Sequence, residues 1–409
     1  MNALLLGLRM LLAAAPLQEA EAPPMVQVGL ERIEAEGGGV LKGRKIALLA
    51  HGASLTAAGR HAVDVLRGVE GLEIVRLFAP EHGARGVAAA GAKIESGRDD
   101  EWGLPVVSLY GEKTQPEAGD FEGVDTLVID LQDAGVRFYT YASTALLAVE
   151  AAAQAGVRVV VLDRPNPLGG ERVEGPLAEP ATVMPRTLVN TTPGPLVHGL
   201  TLGEMVRLYN DSLPRKARVE VVEMKGWRRS MTWHDTGREW VPPSPNLRSP
   251  DAAIAYPGTC LLEATNVSEG RGTDAPFLTI GAPWLRVPHV LAGVAVQGFA
   301  LGPTRFTPKA SPAAPSPKHK DQEAAGISIR VVDPAAARPW ELGIALLQAL
   351  RRQPEFEWTR QGRGLDALLG TRRVREMLRL DWSLNEILDA DQGAHAGWRA
   401  ERRKHLIYE

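Results

Sequence analysis

A parallel α/β sheet with helices on both faces, followed by a smaller region of mixed helix and strand, is the fold class this sequence predicts. Three observations point to it. Between Lys45 and Glu223 short β-branched runs alternate with amphipathic helical stretches. Several of those runs are apolar at consecutive positions, as strands covered on both faces must be. Beyond about Trp240 the texture changes, with Pro, Gly, Asn and Thr replacing the periodic runs. Strand–helix–strand repetition selects a parallel sheet, whose ligands sit beyond the C-terminal strand ends.

The predicted strands are Lys45–Ala50, Glu73–Phe78, Thr126–Leu131, Arg158–Asp163 and Val219–Met224. Helices are expected at Gly59–Arg67, Ala142–Ala155 and Thr201–Asn210. The last opens with Thr201 and Glu204 spaced as a capping box, each side chain satisfying the other's free backbone donor. Residues 241–282 read as long ordered loops and residues 303–325, rich in Pro, Ser and Lys, as a mobile surface loop. A strand at Ile327–Val332, a helix near Pro339–Arg352 and a polar helical stretch complete the chain. A boundary near 230–245 divides it into 25–235, carrying the sheet, and 236–409, an auxiliary part.

At the N-terminus Leu4–Ala15 is too short to span a bilayer. It reads as the core of a signal peptide ending before Pro16, although Arg9 lies inside the apolar run rather than ahead of it. A true start at Met25 is the alternative. The first reading places the protein in the periplasm or outside the cell, the second in the cytoplasm. No other stretch is long and apolar enough for a membrane span.

The chain has 409 residues, 44% hydrophobic and 23% charged, which excludes disordered, collagenous and coiled-coil classes. Lys plus Arg (46) nearly balance Asp plus Glu (49), so nucleic acid is not an expected partner. A single cysteine, Cys260, excludes an intrachain disulfide and a Cys-clustered metal site.

Four polar clusters carry candidate chemistry. Phe78-Ala-Pro-Glu-His-Gly-Ala-Arg-Gly86 follows a strand directly: Pro80 ends the ladder, and Gly83 and Gly86 permit tight turns. Glu81 and His82 then project from the sheet edge, where a partly desolvated carboxyl can donate a proton. The plainer reading is a solvated turn in which Glu81 pairs with Arg85. In Asp130-Leu-Gln-Asp-Ala-Gly-Val-Arg-Phe-Tyr-Thr-Tyr141, Asp130 closes a strand. Arg137 offers a two-pronged donor to a carboxylate, and Tyr139 and Tyr141 offer faces for a sugar. Alternatively Arg137 only ties Asp130 or Asp133.

Asp163-Arg-Pro-Asn-Pro167, with Asn166, is a stiff polar turn at another strand end, and the lone His198 reads more readily as structural. The fourth cluster comprises Pro243-Ser-Pro-Asn-Leu247, with Asn246, then Tyr256-Pro-Gly-Thr259, and last Glu263-Ala-Thr-Asn-Val-Ser-Glu-Gly-Arg-Gly-Thr273. The latter packs Asn266, two carboxylates and Arg271 between glycines that would let backbone approach a ligand. No phosphate-loop pattern is present. His82, Asp130, Asp133, Asp163 and His198 are conceivable O/N ligands for zinc or manganese, but no tight ligand spacing occurs, so no metal or other cofactor is expected. A G-x-S-x-G nucleophile elbow is also missing.

The segments 78–86, 103–111, 130–141, 161–170, 198–204, 242–246 and 256–273, taken in this order, resemble the exo-β-N-acetylmuramidase family (NamZ-type, YbbC-like; glycoside hydrolase family 171). The similarity runs from about Gly29 to Tyr408. The resemblance implies a Rossmann-like domain plus a smaller α+β auxiliary domain with the cleft between them. It also implies release of terminal N-acetylmuramic acid from the non-reducing ends of peptidoglycan fragments. The family's proposed catalytic glutamate falls on Glu81, with His82 beside it. Arg137, Tyr139, Asn246, Asn266, Glu269 and Arg271 match the family pattern as cleft residues, and Arg85, Asp130, Tyr141, Asn166 and His198 join them as candidate substrate contacts.

Two departures stand out. The family's Ala-Gly-Glu is here Ala90-Gly-Ala92, with Glu95 nearby, and its Asn-rich turn is here Ala50-His51-Gly-Ala-Ser54. Glycoside cleavage needs an acid and a second group at the anomeric carbon. Glu81 is the expected acid, and Asp130, Glu269 or the substrate's own acetamido group the second. Arg137 or Arg271 would read the lactyl carboxylate. A catalytically impaired muropeptide-binding protein and, further off, a metal-dependent hydrolase are the alternatives.

Overall fold

A computed structural model describes residues 25–181 and 183–409; the Leu4–Ala15 segment, on which the signal-peptide reading rests, lies outside the described residues. Helix α1 (Gly29–Ala35) leads into β1 (Lys45–Ala50), α2 (Ala62–Arg67) and β2 (Glu73–Ala79). Then come β3 (Gly97–Arg98), β4 (Pro105–Ser108), β5 (Thr126–Asp130), α3 (Thr140–Ala155) and β6 (Arg158–Leu162). An antiparallel pair, β7 (Glu174–Leu177) and β8 (Pro195–Val197), precedes α4 (Leu202–Ser212) and β9 (Val219–Val222).

The main sheet has the order β3-β4-β2-β1-β5-β6-β9 and is parallel except at the β3 edge. The order reverses between β1 and β5, as in doubly wound dinucleotide-binding folds. Both faces are covered, as the apolar runs require. Ile46 and Leu48 pack with Leu30, Ile33, Val63 and Leu66 from α1 and α2. Their neighbours Ala47 and Leu49 face the opposite way, into a core shared with Leu146 and Val149 of α3 and Met205 of α4. Fully burying each such aliphatic side chain contributes roughly 1.5–3 kcal/mol. The capping box forms as predicted, with Glu204 N donating to Thr201 Oγ1 (3.2 Å) and Thr201 N to Glu204 Oε2 (3.1 Å).

The second lobe contains α5 (Pro250–Thr259), β10 (Thr279–Ala282), α6 (Val287–Leu291), β11 (Phe299–Phe306), β12 (Ala324–Val331), α7 (Pro339–Leu350), α8 (Arg363–Leu369), α9 (Arg373–Arg379), α10 (Leu384–Asp389) and α11 (Gln392–Arg402). Its sheet is antiparallel, in the order β10-β12-β11.

Two loop expectations are corrected here. Residues 241–282 hold a ten-residue helix, α5, capped by Ser249 Oγ (3.1 Å from Ala252 N) with Pro250 in its first turn, where no donor is lost. Residues 303–325 are not a free surface loop: their ends belong to β11 and β12, and Lys309 N bonds Gly272 O at 2.8 Å.

The apolar core runs continuously from the large sheet into α5, α7 and β12. The chain end returns to the first lobe, where Trp398 Nε1 donates to His198 O (2.9 Å) and the Tyr408 hydroxyl to Asp163 Oδ2 (2.7 Å). Among the described residues no helix is long and apolar enough to cross a membrane.

Candidate active site

Beyond the C-terminal ends of β2 and β4 lies a cavity of about 710 Å³. Its first wall comes from the large-sheet lobe: Glu81 and His82 after β2, Tyr110 after β4, and Tyr139 and Thr140 at the start of α3. The turn that presents Glu81 is unusual in that His82 adopts φ 70°, a left-handed conformation costly for a residue with a side chain. Its cost is offset by bonds that fold the following segment back. His82 Nδ1 donates to Ala88 O at 2.7 Å and Ala88 N to His82 O at 3.2 Å. A carbonyl only accepts, so Nδ1 carries the proton. Burial lowers the His82 pKa below the ordinary histidine value; Glu81 and the Ala88 carbonyl oppose that, and Arg271 adds to it. A neutral imidazole here pins a loop and does not supply charge to its neighbour.

The Glu81 carboxylate is held by Gly91 N at 2.9 Å on Oε1 and by the Thr140 hydroxyl at 2.7 Å on Oε2. Tyr141 fixes the backbone beneath it, its hydroxyl lying 3.1 Å from Glu81 O and 2.8 Å from Pro243 O. Burial first, then the charges of Glu81 and Glu263, push the Tyr110 phenol up.

The opposing wall belongs to the second lobe: Ser244, Tyr256, Cys260, Glu263, Glu269, Arg271 and Phe277, with Ala313–Lys318 and Leu368. Arg271 lies 2.5 Å from Glu263 Oε1 and 3.2 Å from Glu269 Oε1, over the Phe277 ring. Burial alone would lower the Arg271 pKa, but the two carboxylates more than reverse it. Gly270 and Gly272 both take positive φ, 82° and 81°. A Cβ on either would strike backbone oxygen, Thr279 O at 2.3 Å or Lys309 O at 2.5 Å. These glycines therefore serve the loop's own packing and not the close approach of a ligand. The Cys260 thiol is pushed well up by burial, then by Glu263, which keeps it protonated.

Of the residues singled out from sequence, Glu81, His82, Tyr139, Glu269 and Arg271 line this one cavity, with Tyr141 directly behind Glu81. The others are elsewhere. Arg85 pairs with Asp99 (2.8 Å) and Glu101 (2.5 Å), not with Glu81, and lies over Trp102. Asp130 is fully buried and bound by both arms of Arg164. Arg137, also fully buried, donates to the carbonyls of Pro176 (2.7 Å), Gly194 (2.8 Å) and Leu369, and to neither Asp130 nor Asp133.

Asn166 bridges Leu200 O (2.9 Å) and Leu168 N (2.9 Å), and His198 Nδ1 accepts from Leu200 N (3.2 Å). Asn266 bonds the backbone of Glu355 (2.8 Å) and Glu357 (3.0 Å). Asn246 Nδ2 holds Ala313 O at 2.9 Å, so it ties down the cavity wall from behind. His51, at the altered turn, lies under Tyr141 at 4.8 Å between ring centres.

Tyr110 and Lys318 line the site but lay outside the clusters noted in the sequence, whereas Thr140, Tyr256 and Glu263 belonged to those clusters without being singled out. Glu263 sat in a cluster already noted for its charge, and Lys318 in the segment read as a loose loop. Ala92 does line the cavity, whereas Glu95 is exposed and faces away. The five residues considered for a metal do not gather: among the described residues no group of three or more His, Cys, Asp or Glu is placed to hold an ion.

The comparisons with known proteins agree with one another. Residues 46–251 match the family model described as exo-beta-N-acetylmuramidase NamZ, N-terminal, and residues 254–408 its C-terminal counterpart. The chain is 36% identical over 390 residues to the peptidoglycan beta-N-acetylmuramidase NamZ of Bacillus subtilis (strain 168), covering 94% of this chain and 92% of that protein. Two crystal structures of DUF1343 family proteins from Bacteroides fragilis NCTC 9343 superpose with TM-scores of 0.83 and 0.76. Each is 28% identical, and each match covers 94% of this chain and 99% of the other.

Proposed function

The chain belongs to the NamZ family of exo-β-N-acetylmuramidases, and from that premise we propose that it is an exo-acting glycosidase with Glu81 as its proton donor. Its substrate is a peptidoglycan fragment bearing a terminal N-acetylmuramic acid at the non-reducing end. The observation that carries this reading is the placement of Glu81. Its carboxylate is gripped by Gly91 N and the Thr140 hydroxyl inside a cavity closed on the far side by the Arg271 loop. The cavity's volume falls within the ~300–1,000 Å³ of small-ligand sites, room enough for a terminal sugar.

The sugar contacts fall to Tyr139, Glu269 and Arg271. Among the described residues the Tyr139 hydroxyl, buried at the cavity, has no hydrogen-bond partner, an arrangement that a sugar hydroxyl or lactyl oxygen would complete. Arg137 lies outside the cavity and donates to carbonyls, whereas Arg271 lines it with its charge already shared between two carboxylates.

Incubation with an N-acetylmuramic acid–N-acetylglucosamine disaccharide, read by mass, tests the reading. The wild-type chain should release free N-acetylmuramic acid, and Glu81→Gln should slow release by roughly 10²–10⁴-fold. Near-wild-type turnover by Glu81→Gln would remove it from the acid role. Ala92, standing where the family carries a glutamate, favours a second reading, a sugar-binding protein without turnover. That protein would give heat in a calorimetric titration and no product.

A further inference from the structure

Three carboxylates line the cavity among the described residues, and their surroundings are unequal. Glu81 stands on the large-sheet wall. The Glu269 side chain is only 5% exposed and is held between Arg271 Nε (3.2 Å) and Lys318 Nζ (3.0 Å). With a cation on each side it ties the wall together. The Glu263 side chain is 34% exposed and has one cationic partner, Arg271, at 2.5 Å. It enters the cavity from the short helical turn Cys260–Ala264, on the lobe that faces Glu81. Glu81, from the turn after β2, and Glu263, from the second lobe, line the same cavity, with Tyr110 also in its lining. Ala92 leaves the Glu81 wall without a second carboxylate of its own.

We propose that Glu263 is the second catalytic carboxylate, meeting the anomeric carbon on the face opposite the leaving oxygen. This rests on the reading of Glu81 as proton donor at the same site. As the C1–O bond breaks, its electron pair stays on the leaving oxygen, which takes the Glu81 proton. The positive charge that develops on C1 and the ring oxygen is offset by the Glu263 carboxylate. Water supplies the hydroxyl that ends on C1, and its remaining proton replaces the one Glu81 gave up. Arg271 holds Glu263 in place, and the partial exposure of Glu263 leaves it open to the substrate.

The test uses the full chain and a chromogenic β-glycoside of N-acetylmuramic acid. Glu263→Ala should lower kcat by about 100-fold or more. Azide, small enough to fill the space left by the side chain, should restore turnover and yield the α-configured glycosyl azide. Turnover within about fivefold of wild type, or a loss that azide neither rescues nor diverts to the azide product, would overturn the proposal. Should the alanine variant not fold, Glu263→Gln keeps the volume and an oxygen for Arg271. It should likewise lower kcat by about 100-fold or more with KM within about threefold, and turnover within about fivefold of wild type overturns the assignment. A wild-type chain that releases no N-acetylmuramic acid defeats the underlying function instead, whereas an inactive Glu81→Gln beside an active Glu263→Ala defeats this proposal alone.

Discussion

The Thr140 hydroxyl donates to Glu81 Oε2 at 2.7 Å, so the first turn of α3 holds the carboxyl that follows β2 and that we propose as the proton donor. Together with Gly91 N at 2.9 Å, this bond fixes the direction in which the carboxyl faces the cavity. Thr140→Val keeps the shape and deletes the donor. A hydrogen bond to a charged group is worth about 1.5–3 kcal/mol, so kcat should fall by roughly 10-fold or more while KM changes little. A kcat within about twofold of wild type would show that Thr140 does not position Glu81.

Arg137 is a structural clamp. It is fully buried, and burial lowers its pKa to about 9 despite the opposing charge of Asp391. Its guanidinium gathers carbonyls from β7, from the approach to β8 and from the C-terminal end of α8, where the helix dipole is negative. Arg137→Met leaves those oxygens without a donor, so urea unfolding should show a loss of about 3 kcal/mol or more. Arg137→Lys should recover little of it, since one ammonium cannot reproduce the planar fork. KM of the soluble fraction should stay near wild type, and a selective rise in KM would return Arg137 to the sugar-contact role.

Why Arg137 reads as a ligand in sequence and a clamp in structure is a matter of range. Strands such as Lys45–Ala50 declare themselves locally, because consecutive apolar residues need cover on both faces, and Glu81 is legible because Pro80 stops its strand at the sheet edge. The partners of Arg137, by contrast, lie as far away as Leu369, and nothing near position 137 reports them. The same holds for Arg85, whose mates Asp99 and Glu101 sit across the β2–β4 connection. Helix α5 was hidden by Pro257 and Gly258, residues that local propensity assigns to loops although the shared core holds them in a helix.

Asp133 Oδ2 and His198 Nε2 lie 3.9 Å apart, yet the contact is not an ion pair. Burial raises the Asp133 carboxyl to about 7, against the pull of the Gly135, Ala134 and Ala142 amides. Burial also lowers His198 to about 3, with Arg402 and Arg137 adding to it. Both groups are thus driven towards neutrality. For Asp133 the folded pKa lies above the unfolded ~3.9, so its stabilising contribution is complete below about pH 4 and is lost as pH rises through 7. His198 works the other way, because the unfolded chain alone takes up a proton as pH falls from about 6.5 to 3. Asp133→Asn is neutral throughout. Its stability relative to wild type should rise between pH 5 and pH 8, on the order of 1–3 kcal/mol. Thermal melts at the two pH values check this, and parallel shifts would show that Asp133 is ionised in the fold.

Lys318 closes the cavity from the segment that sequence alone assigns to a free loop. Its ammonium donates to Leu262 O (2.7 Å) and Val267 O (3.0 Å) and lies 3.0 Å from Glu269 Oε2. At the other end of the same wall Asn246 Nδ2 holds Ala313 O. Lys318→Met keeps the aliphatic stem but removes every donor, freeing Ala313–Pro317 and leaving Glu269 with Arg271 alone. Glu81, Thr140 and Gly91 are on the other lobe and keep their geometry, so the loss should appear in binding. KM for the disaccharide should rise roughly 10-fold, the equivalent of about 1.4 kcal/mol, with kcat within about threefold of wild type. Asn246→Ala should act in the same direction. Unchanged KM in both variants would mean that the wall formed by Ala313–Lys318 does not touch the sugar.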